Sequence, residues 1–243
     1  MDLRKKKWSF SSVKLFEQCP YAFYQKYIQD QTEEENAFAQ HGKFAHSILE
    51  RCLKGELLAF ELADVFESEY QTNVTKSFPY ANIAKSFYDK TLLYFQEYDD
   101  FVGEIVGVEE KLETKFGDIE FIGYADLIMR DEKGIYVVDH KSHAAFKSKK
   151  EREEYFRQLY LYAECVKRKY GEYPNKLEFN MFRVPQIVEE FFSQPQCDFS
   201  VNWFCESVNK ILRYYEQKKI DWDCKIDNWY CSNLCGLDCA FRG

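Results

Sequence analysis

The spacing of apolar residues divides the chain into a helical first part, a strand-rich middle and a helical end. Apolar side chains recur every three or four residues in four early segments, which predicts helices near 10–28, 37–55, 59–72 and 80–100. The first helix is expected to break at Cys19-Pro20, because proline lacks the N–H that a helix interior needs. The periodicity changes near residue 104, where short β-rich segments begin.

The middle of the chain predicts an antiparallel meander whose strands are separated by Gly or charged turns, near 104–116, 119–130 and 134–141. A further helix, two strands and a long helix are expected near 151–170, 176–184, 187–192 and 199–218. We therefore expect a mixed α/β fold forming one domain over 1–243. Its parts would be a helical N-terminal region (1–100), a core (101–195) and a C-terminal helix with a Cys-rich tail (196–243).

The net charge limits how the protein could bind a nucleic acid, and the targeting signals indicate its location. The formal net charge is −8, so a nucleic acid would be repelled at long range and would have to be met by local basic patches or metal ions. The basic start lacks an apolar run behind it, and no segment reaches the length of a membrane span. We expect a soluble cytoplasmic protein with no membrane partner, in which thiols stay reduced.

The stretch GIYVVDHKSH ends with two unlike charges, Asp139 and Lys141, which share one face of a strand because side chains alternate. A turn precedes this strand. If its loop is centred between residues 132 and 133, Asp126 lies opposite Asp139, whereas a bulge at Gly134 would make the two aspartates diagonal neighbours. Either arrangement brings two carboxylates within reach of one cation.

Two carboxylates in proximity repel each other and raise one pKa unless a divalent ion lies between them. A hard cation such as Mg²⁺ or Mn²⁺ suits these oxygen ligands. It would polarise a phosphodiester and lower the pKa of an attacking water, while Lys141 would orient that water or stabilise the developing charge. For an isolated D-x-K, a strand that ends in a surface ion pair is the more common explanation.

Four short motifs in chain order favour the catalytic interpretation: Gly42–His46 as G-x-x-x-H, Gly123–Asp126 as G-x-x-D, Asp139–Lys141 as D-x-K and Gln158–Tyr162 as Q-x-x-x-Y. With CPYAFYQKYI near the start, the sequence resembles the RecB-like branch of the PD-(D/E)XK nuclease superfamily over most of its length. The resemblance implies a nuclease core of helix, three-stranded meander, helix and strand in a mixed sheet, with helical additions at both ends.

The resemblance also implies a role for each matching residue. The ligands of Mg²⁺ or Mn²⁺ would be His46, Asp126, Asp139 and the main-chain carbonyl of His140. Lys141 would be the catalytic lysine. Gln158 and Tyr162 lie four residues apart on one helix face, where they would reach the site or the DNA backbone, although simple packing is equally compatible with their spacing. We expect three histidine side chains to be bystanders, those of His41, His140 and His143.

The tail places three thiols at short, regular spacing: Cys231, Cys235 and Cys239. Related nucleases, including AddB-type subunits and CRISPR-associated RecB-like exonucleases, tie such a tail to an N-terminal cysteine through a 4Fe–4S cluster, which implies Cys19 as the fourth ligand. The C-x3-C-x3-C spacing departs from the usual C-x2-C-x5-C. Zn²⁺ in place of the cluster, and Cys224 in place of one ligand, therefore stay open.

These features predict a metal-dependent DNA exonuclease that acts on single strands or duplex ends. The resemblance implies work in DNA repair, recombination, CRISPR adaptation or phage replication, with a helicase, recombination or CRISPR adaptation protein as partner. Two alternatives are a non-catalytic DNA-binding scaffold and a structure-specific endonuclease. The sequence contains no P-loop G-x-x-x-x-G-K, so any unwinding motor would come from a partner.

Overall fold

The computed structural model describes residues 2–142, 146–184, 186–217 and 222–241. In these ranges the α-helices are α1 (Phe10–Gln18), α2 (Pro20–Tyr27), α3 (Ala37–Leu53), α4 (Leu62–Asn73), α5 (Ala81–Gln96), α6 (Lys149–Tyr170), α7 (Gln194–Glu216) and α8 (Asn228–Asn233). Short 3-10 helices cover Leu3–Lys5 and Ala59–Glu61. None of the helices in the described ranges combines the length and the apolar character that a membrane span requires.

Five strands form one sheet in the spatial order β1-β2-β3-β4-β5. They are β1 (Glu104–Phe116), β2 (Ile119–Asp131), β3 (Gly134–Lys141), β4 (Lys176–Met181) and β5 (Gln186–Phe191). The first three strands are an antiparallel meander, as predicted, and β5 is antiparallel to β4. Helix α6 connects β3 to β4, which run parallel. The sheet is therefore mixed, and the predicted α/β fold class is confirmed.

The alternating side chains of β3 show how the sheet is covered on both faces. Ile135 and Val137 belong to the main core, which contains residues of α1, α6 and α7. Tyr136 and Val138 form a smaller cluster on the opposite face with Leu53 of α3. A third cluster joins α3, α4 and α5. Helices therefore cover both faces of β3, and the polar residues at its end lie between two helical layers.

Local capping explains where the structure and the predicted boundaries agree or differ. The break at Pro20 is confirmed: Cys19 ends α1 and is also the residue before α2. Helix α7 begins at Gln194 rather than near 199, because Pro195 lies in the first turn, where its missing N–H costs no hydrogen bond. The tail is not wholly a loop, since Asp227 accepts a hydrogen bond from the Tyr230 N–H and caps α8.

Candidate active site

The candidate site lies where β2 and β3 separate. Their pairing runs from Asp131 opposite Gly134 to Leu127 opposite Val138 without a shift. The unshifted register that places Asp126 opposite Asp139 is thereby confirmed. Beyond the last pair, Asp126 Oδ2 accepts a hydrogen bond from the backbone N–H of His140 at 2.6 Å. The Asp126 side chain thus replaces the backbone partner that the His140 N–H loses where the two strands separate. This hydrogen bond fixes the Asp126 carboxylate.

Asp139 and Lys141 form a buried ion pair on the face of β3 that is covered by α6. Lys141 Nζ lies 2.6 Å from Asp139 Oδ2, and the Asp139 side chain is only 3% exposed. Gln158 of α6 contacts both partners: its Nε2 donates to Asp139 Oδ1 at 2.9 Å and its Oε1 accepts from Lys141 Nζ at 3.1 Å. A carboxylate, an ammonium and an amide therefore hold one another in a fixed arrangement.

Tyr162 supports this arrangement from behind. Gln158 Nε2 also donates to the Tyr162 hydroxyl at 2.8 Å, which fixes the direction of the amide. The Tyr162 ring packs directly on the backbone of Gly123, where an added Cβ would lie 2.4 Å from Tyr162 Cε1. The glycine of the G-x-x-D motif is thus required for close packing. Tyr162 is 4% exposed, which places it behind Gln158 rather than at the open side of the site.

His46 of α3 approaches Asp126 from the other side of the sheet, with 3.6 Å between His46 Nδ1 and Asp126 Oδ2. Glu109 of β1 completes the group: one ligand atom from each of His46, Glu109 and Asp126 lies within 4.8 Å of the others. The Asp139 carboxylate is turned toward Lys141 and Gln158 instead. The structure thus brings together the residues of the predicted site and adds Glu109.

Glu109 was missed by sequence reasoning, although the first hairpin carried a signal. Val108 pairs with Leu127 and Glu110 with Ala125, so Glu109 lies opposite Asp126. The same register follows from a two-residue turn at Gly117-Asp118, by the logic used for the second hairpin. Glu109 has a φ of 51°, in the left-handed region that a non-glycine residue adopts at a steric cost. Such strain is frequent at functional sites.

Burial controls the protonation of the acidic groups. It raises the pKa of Asp126 to about 7 and that of Asp139 to about 6, and it also raises the pKa of Glu109. For Lys141, burial would lower the pKa, but the nearby carboxylates of Asp139 and Asp126 outweigh it and the pKa is raised. The carboxylates of Asp126 and Asp139 thus share the ammonium of Lys141. The two negative charges offset the cost of burying the ammonium, whereas the one positive charge offsets only part of the cost of burying both carboxylates.

The donor set fits a hard divalent cation. Burial lowers the pKa of His46, so its ring is neutral at neutral pH and offers a nitrogen lone pair. The donor group and the adjacent ion pair together contain three carboxylates and one ammonium, which gives a formal charge of −2 when all are ionised. A divalent ion would neutralise that charge. The site is also accessible, since the side chains of His46 and Lys141 are 30% and 19% exposed.

Comparison with known proteins identifies the family. The model of the PD-(D/E)XK nuclease superfamily matches residues 7–231. The chain belongs to this superfamily. A crystal structure of a "Putative exonuclease" from Eubacterium rectale is similar in fold, with a TM-score of 0.58 and 15% sequence identity over 95% of this chain and 89% of that one. A search of curated proteins finds no match.

Two other histidines of this PD-(D/E)XK chain, His41 and His140, have side chains that lie outside the donor set. His41 is fully buried between the Tyr70 hydroxyl at 3.1 Å and the Thr91 hydroxyl at 3.0 Å, and burial lowers its pKa to about 3. The His140 ring points to the opposite face from Asp139, where its Nδ1 contacts Asn180 Nδ2 at 3.0 Å. His143 lies outside the described residues. The two described rings occupy core positions, as satisfied or packed histidines often do.

The cysteine tail meets the start of α2 at a second candidate site. Five thiols line one small cavity there: Cys19, Cys224, Cys231, Cys235 and Cys239. Burial, together with the nearby thiols of Cys19 and Cys239, raises the pKa of the Cys224 thiol to about 12. Thiolates select soft metals, so this donor set fits an iron–sulfur cluster or zinc and not Mg²⁺. The four cysteines named from the sequence are thus together, and Cys224 lies among them.

Proposed function

We propose that the protein is a metal-dependent nuclease that hydrolyses phosphodiester bonds in DNA. The observation that carries this proposal is the meeting of Asp126, Asp139 and Lys141 at the separating ends of β2 and β3, beside His46 and Glu109, in a chain of a nuclease superfamily. A negative, solvent-accessible group of mixed oxygen and nitrogen donors next to an ammonium suits metal-assisted hydrolysis.

The residues that would hold Mg²⁺ or Mn²⁺ are His46, Glu109 and Asp126, with the carboxylate of Asp139 and the carbonyl of His140 as further donors. The His140 backbone supports this assignment, since it lies near the His46 ring and opposes part of the lowering of the pKa of His46. When bound, the ion would polarise the phosphodiester and lower the pKa of an attacking water. Glu109 replaces Asp139 as the central acidic partner of His46 and Asp126 in this assignment.

Lys141 would act as a cation rather than as a base. Its raised pKa keeps the ammonium protonated at neutral pH, so it has no lone pair with which to remove a proton from water. It would instead stabilise negative charge that develops on the phosphate oxygens, or donate a hydrogen bond that orients the nucleophilic water. Gln158 would keep the ammonium in position through its bonds to Lys141, Asp139 and Tyr162.

DNA ends are the substrate that we favour. The motifs at His46 and at Gln158–Tyr162 resemble those of the RecB-like branch, and the similar structure from Eubacterium rectale carries the name "Putative exonuclease". The bound metal would also attract the DNA phosphates, because the protein has a net charge of −8 and phosphates need local positive charge to approach it. A purely structural DNA-binding role would not require the buried Asp139–Lys141 pair and its amide support.

We also propose that the thiol cluster, defined as the five cysteines around the cavity at α2, binds a 4Fe–4S cluster. Convergence of sulfur donors from three chain segments supports a soft-metal centre. Zinc is the alternative, because it accepts the same ligands. Such a centre would join the first two helices to the tail. Brown, iron-containing protein after anaerobic purification is expected, and colourless protein with stoichiometric zinc would contradict the cluster.

The nuclease assay uses three end-labelled or closed substrates: linear single-stranded DNA, linear duplex DNA and covalently closed circular DNA. With Mg²⁺ or Mn²⁺ we expect degradation of the linear substrates and no cleavage of the closed circle. Lys141→Ala should abolish the degradation of the linear substrates. Lys149→Ala, which removes a 90% exposed lysine on α6, should leave it unchanged. Full activity of Lys141→Ala would refute the proposed mechanism, and cleavage of the closed circle would indicate an endonuclease.

A further inference from the structure

Arg183 lies just beyond the end of β4, next to the candidate active site. Strand β4 ends at Met181, which pairs with Lys141, and the Phe182 N–H donates to the Lys141 carbonyl at 3.2 Å. The Phe182 ring also packs edge-on against the His46 ring, with 5.7 Å between the ring centroids. Arg183 therefore follows a residue that contacts both Lys141 and His46.

Two contacts fix the direction of the Arg183 side chain. Its Nη1 donates to the Ser142 carbonyl at 3.4 Å, and its Cζ lies 3.5 Å from the centroid of the Phe87 ring of α5. Ser142, the first residue after β3, also approaches Gly42 of α3, where an added Cβ would lie 3.3 Å from the Ser142 Oγ. Gly42 precedes His46 by four residues, so the two share one face of α3. The guanidinium is thus held where β3, α3 and α5 meet, beside the candidate active site.

The positive charge of Arg183 has no compensating anion in the described part of the chain. The guanidinium there has only the hydrogen bond to the Ser142 carbonyl, and its Nε is buried without a partner. Burial lowers the pKa of Arg183, and no carboxylate of the described residues opposes that shift. Arginines elsewhere form ion pairs with glutamates: Arg51 with Glu69, Arg130 with Glu172 and Arg152 with Glu190. A partly buried, unpaired cation destabilises a fold, which indicates that Arg183 serves a ligand rather than the core.

A phosphate group matches the donors that Arg183 leaves free. A guanidinium presents parallel N–H groups that bind two phosphate oxygens at once, and stacking on an aromatic ring holds these groups in a fixed plane. Arg183 is partly exposed, so a phosphate can reach it from solvent. In the proposed mechanism the scissile phosphate is bound by the metal and by Lys141. The ligand of Arg183 would then be another phosphate of the same strand.

We propose that Arg183 is a substrate-binding residue whose guanidinium holds a phosphate of the DNA strand next to the scissile one. The contact would supply local positive charge in a protein of net charge −8, and it would fix the position of the strand against the metal site. An internal phosphodiester and a terminal phosphate both offer this chemistry. The inference rests on the nuclease function proposed above.

Binding is measured in an Asp126→Asn background, in which the loss of a proposed metal ligand keeps the strand intact. The probes are 3′-labelled single-stranded DNA with a 5′-hydroxyl or a 5′-phosphate, titrated at several salt concentrations. We expect Arg183→Met to weaken binding by roughly 10–100-fold and to reduce the slope of log Kd against log salt by about 0.7, as for one phosphate contact on a single strand. Arg183→Lys, which keeps the charge, should recover part of the affinity. An equal loss on both probes assigns an internal phosphate, and a loss confined to the phosphorylated probe assigns the terminal one.

Urea denaturation separates a lost contact with DNA from a damaged fold. Methionine keeps an apolar stem on Phe87 and removes an uncompensated charge, so Arg183→Met should unfold at a urea concentration equal to or above that of its parent. Arg213→Met is the matched control, because Arg213 is an exposed arginine on α7. The control should change neither the affinity nor the salt slope.

Unchanged affinity and salt slope in Arg183→Met would overturn the proposal. A variant that loses both DNA binding and resistance to urea would overturn it as well, because Arg183 would then support the fold. The cleavage assay tests the nuclease function separately. Wild-type protein that cleaves no DNA, although its binding depends on Arg183, would refute the nuclease function and leave the phosphate contact standing.

Discussion

The carboxylate site at the ends of β2 and β3 and the thiol cluster at α2 are built in different ways. In the carboxylate site, strand and helix residues hold one another through hydrogen bonds, as Asp126 does with His140 and Asp139 with Gln158. The thiol cluster joins the break at Cys19 to a tail with one short helix, α8. The first site is preorganised by the fold, whereas in the second a metal would add to the hydrogen bonds that hold the tail, such as that from Asn36 Nδ2 to the Leu234 carbonyl.

The strongest test of this comparison exchanges one residue in each region. Asp139→Asn should lower the single-turnover cleavage rate by about 10²–10³-fold, because it removes a charge that holds Lys141 and binds metal. The iron content of the Asp139→Asn variant should stay unchanged. Cys239→Ser should lose iron and make the tail sensitive to protease, while part of the cleavage activity remains. Equal loss of both properties in either variant would contradict the separation of the two regions.

Glu109→Gln tests the residue that the structure adds to the site. Removing one charged donor should raise the Mn²⁺ concentration needed for half-maximal cleavage by roughly 10–100-fold, with a smaller change in the rate at saturation. Glu113→Gln is a suitable control, because Glu113 lies on the same strand and pairs with Lys7 and Lys111 at the surface. An identical metal requirement for Glu109→Gln and wild type would exclude Glu109 as a ligand.

Gly123→Ala tests the packing that supports Gln158. The new Cβ would lie 2.4 Å from the Tyr162 ring, so we expect a loss of about 1–3 kcal/mol in the free energy of unfolding, measured by urea denaturation. Gly107→Ala should cost less, because there the nearest atom, at 3.0 Å, is the end of the flexible Glu110 side chain. Comparable losses in the two variants would show that the Tyr162 contact does not restrict this position.

The smallest expected effect is the pH dependence of stability without metal. The folded-state pKa values of Asp126 and Asp139, about 7 and about 6, exceed the ordinary value of 3.8, so the folded protein binds more protons than the unfolded chain in this range. Stability in chelator should therefore fall as the pH rises from about 4 to 7. Relative to Asp126→Asn/Asp139→Asn, we expect a loss of about 1–2 kcal/mol between pH 6 and 8. A pH-independent difference would contradict these shifts.

Sequence reasoning succeeded where local chemistry decides the structure. Pro20 ends one helix and begins the next, and the turn at 132–133 sets the register that places Asp126 opposite Asp139. It did not find Glu109, although the turn at Gly117-Asp118 predicts its position opposite Asp126; only the left-handed backbone at Glu109 has no signal in the sequence. It left Cys224 undecided, because the approach of this thiol to Cys19 depends on how the neighbouring Trp222 packs against Phe16 and Phe23 of the first two helices. Tertiary contacts of this kind carry no periodic signal along the chain.

The central claim is that His46, Glu109 and Asp126 hold a hard divalent ion beside the Asp139–Lys141 pair. Anomalous diffraction from crystals soaked in Mn²⁺ would test it most directly. We predict an anomalous peak within coordination distance of His46 and the Asp126 carboxylate, at about 2.0–2.3 Å from its ligand atoms, which disappears in Asp126→Asn. Saturating Mn²⁺ that gives no peak between these residues, in crystals of protein that cleaves DNA, would contradict it.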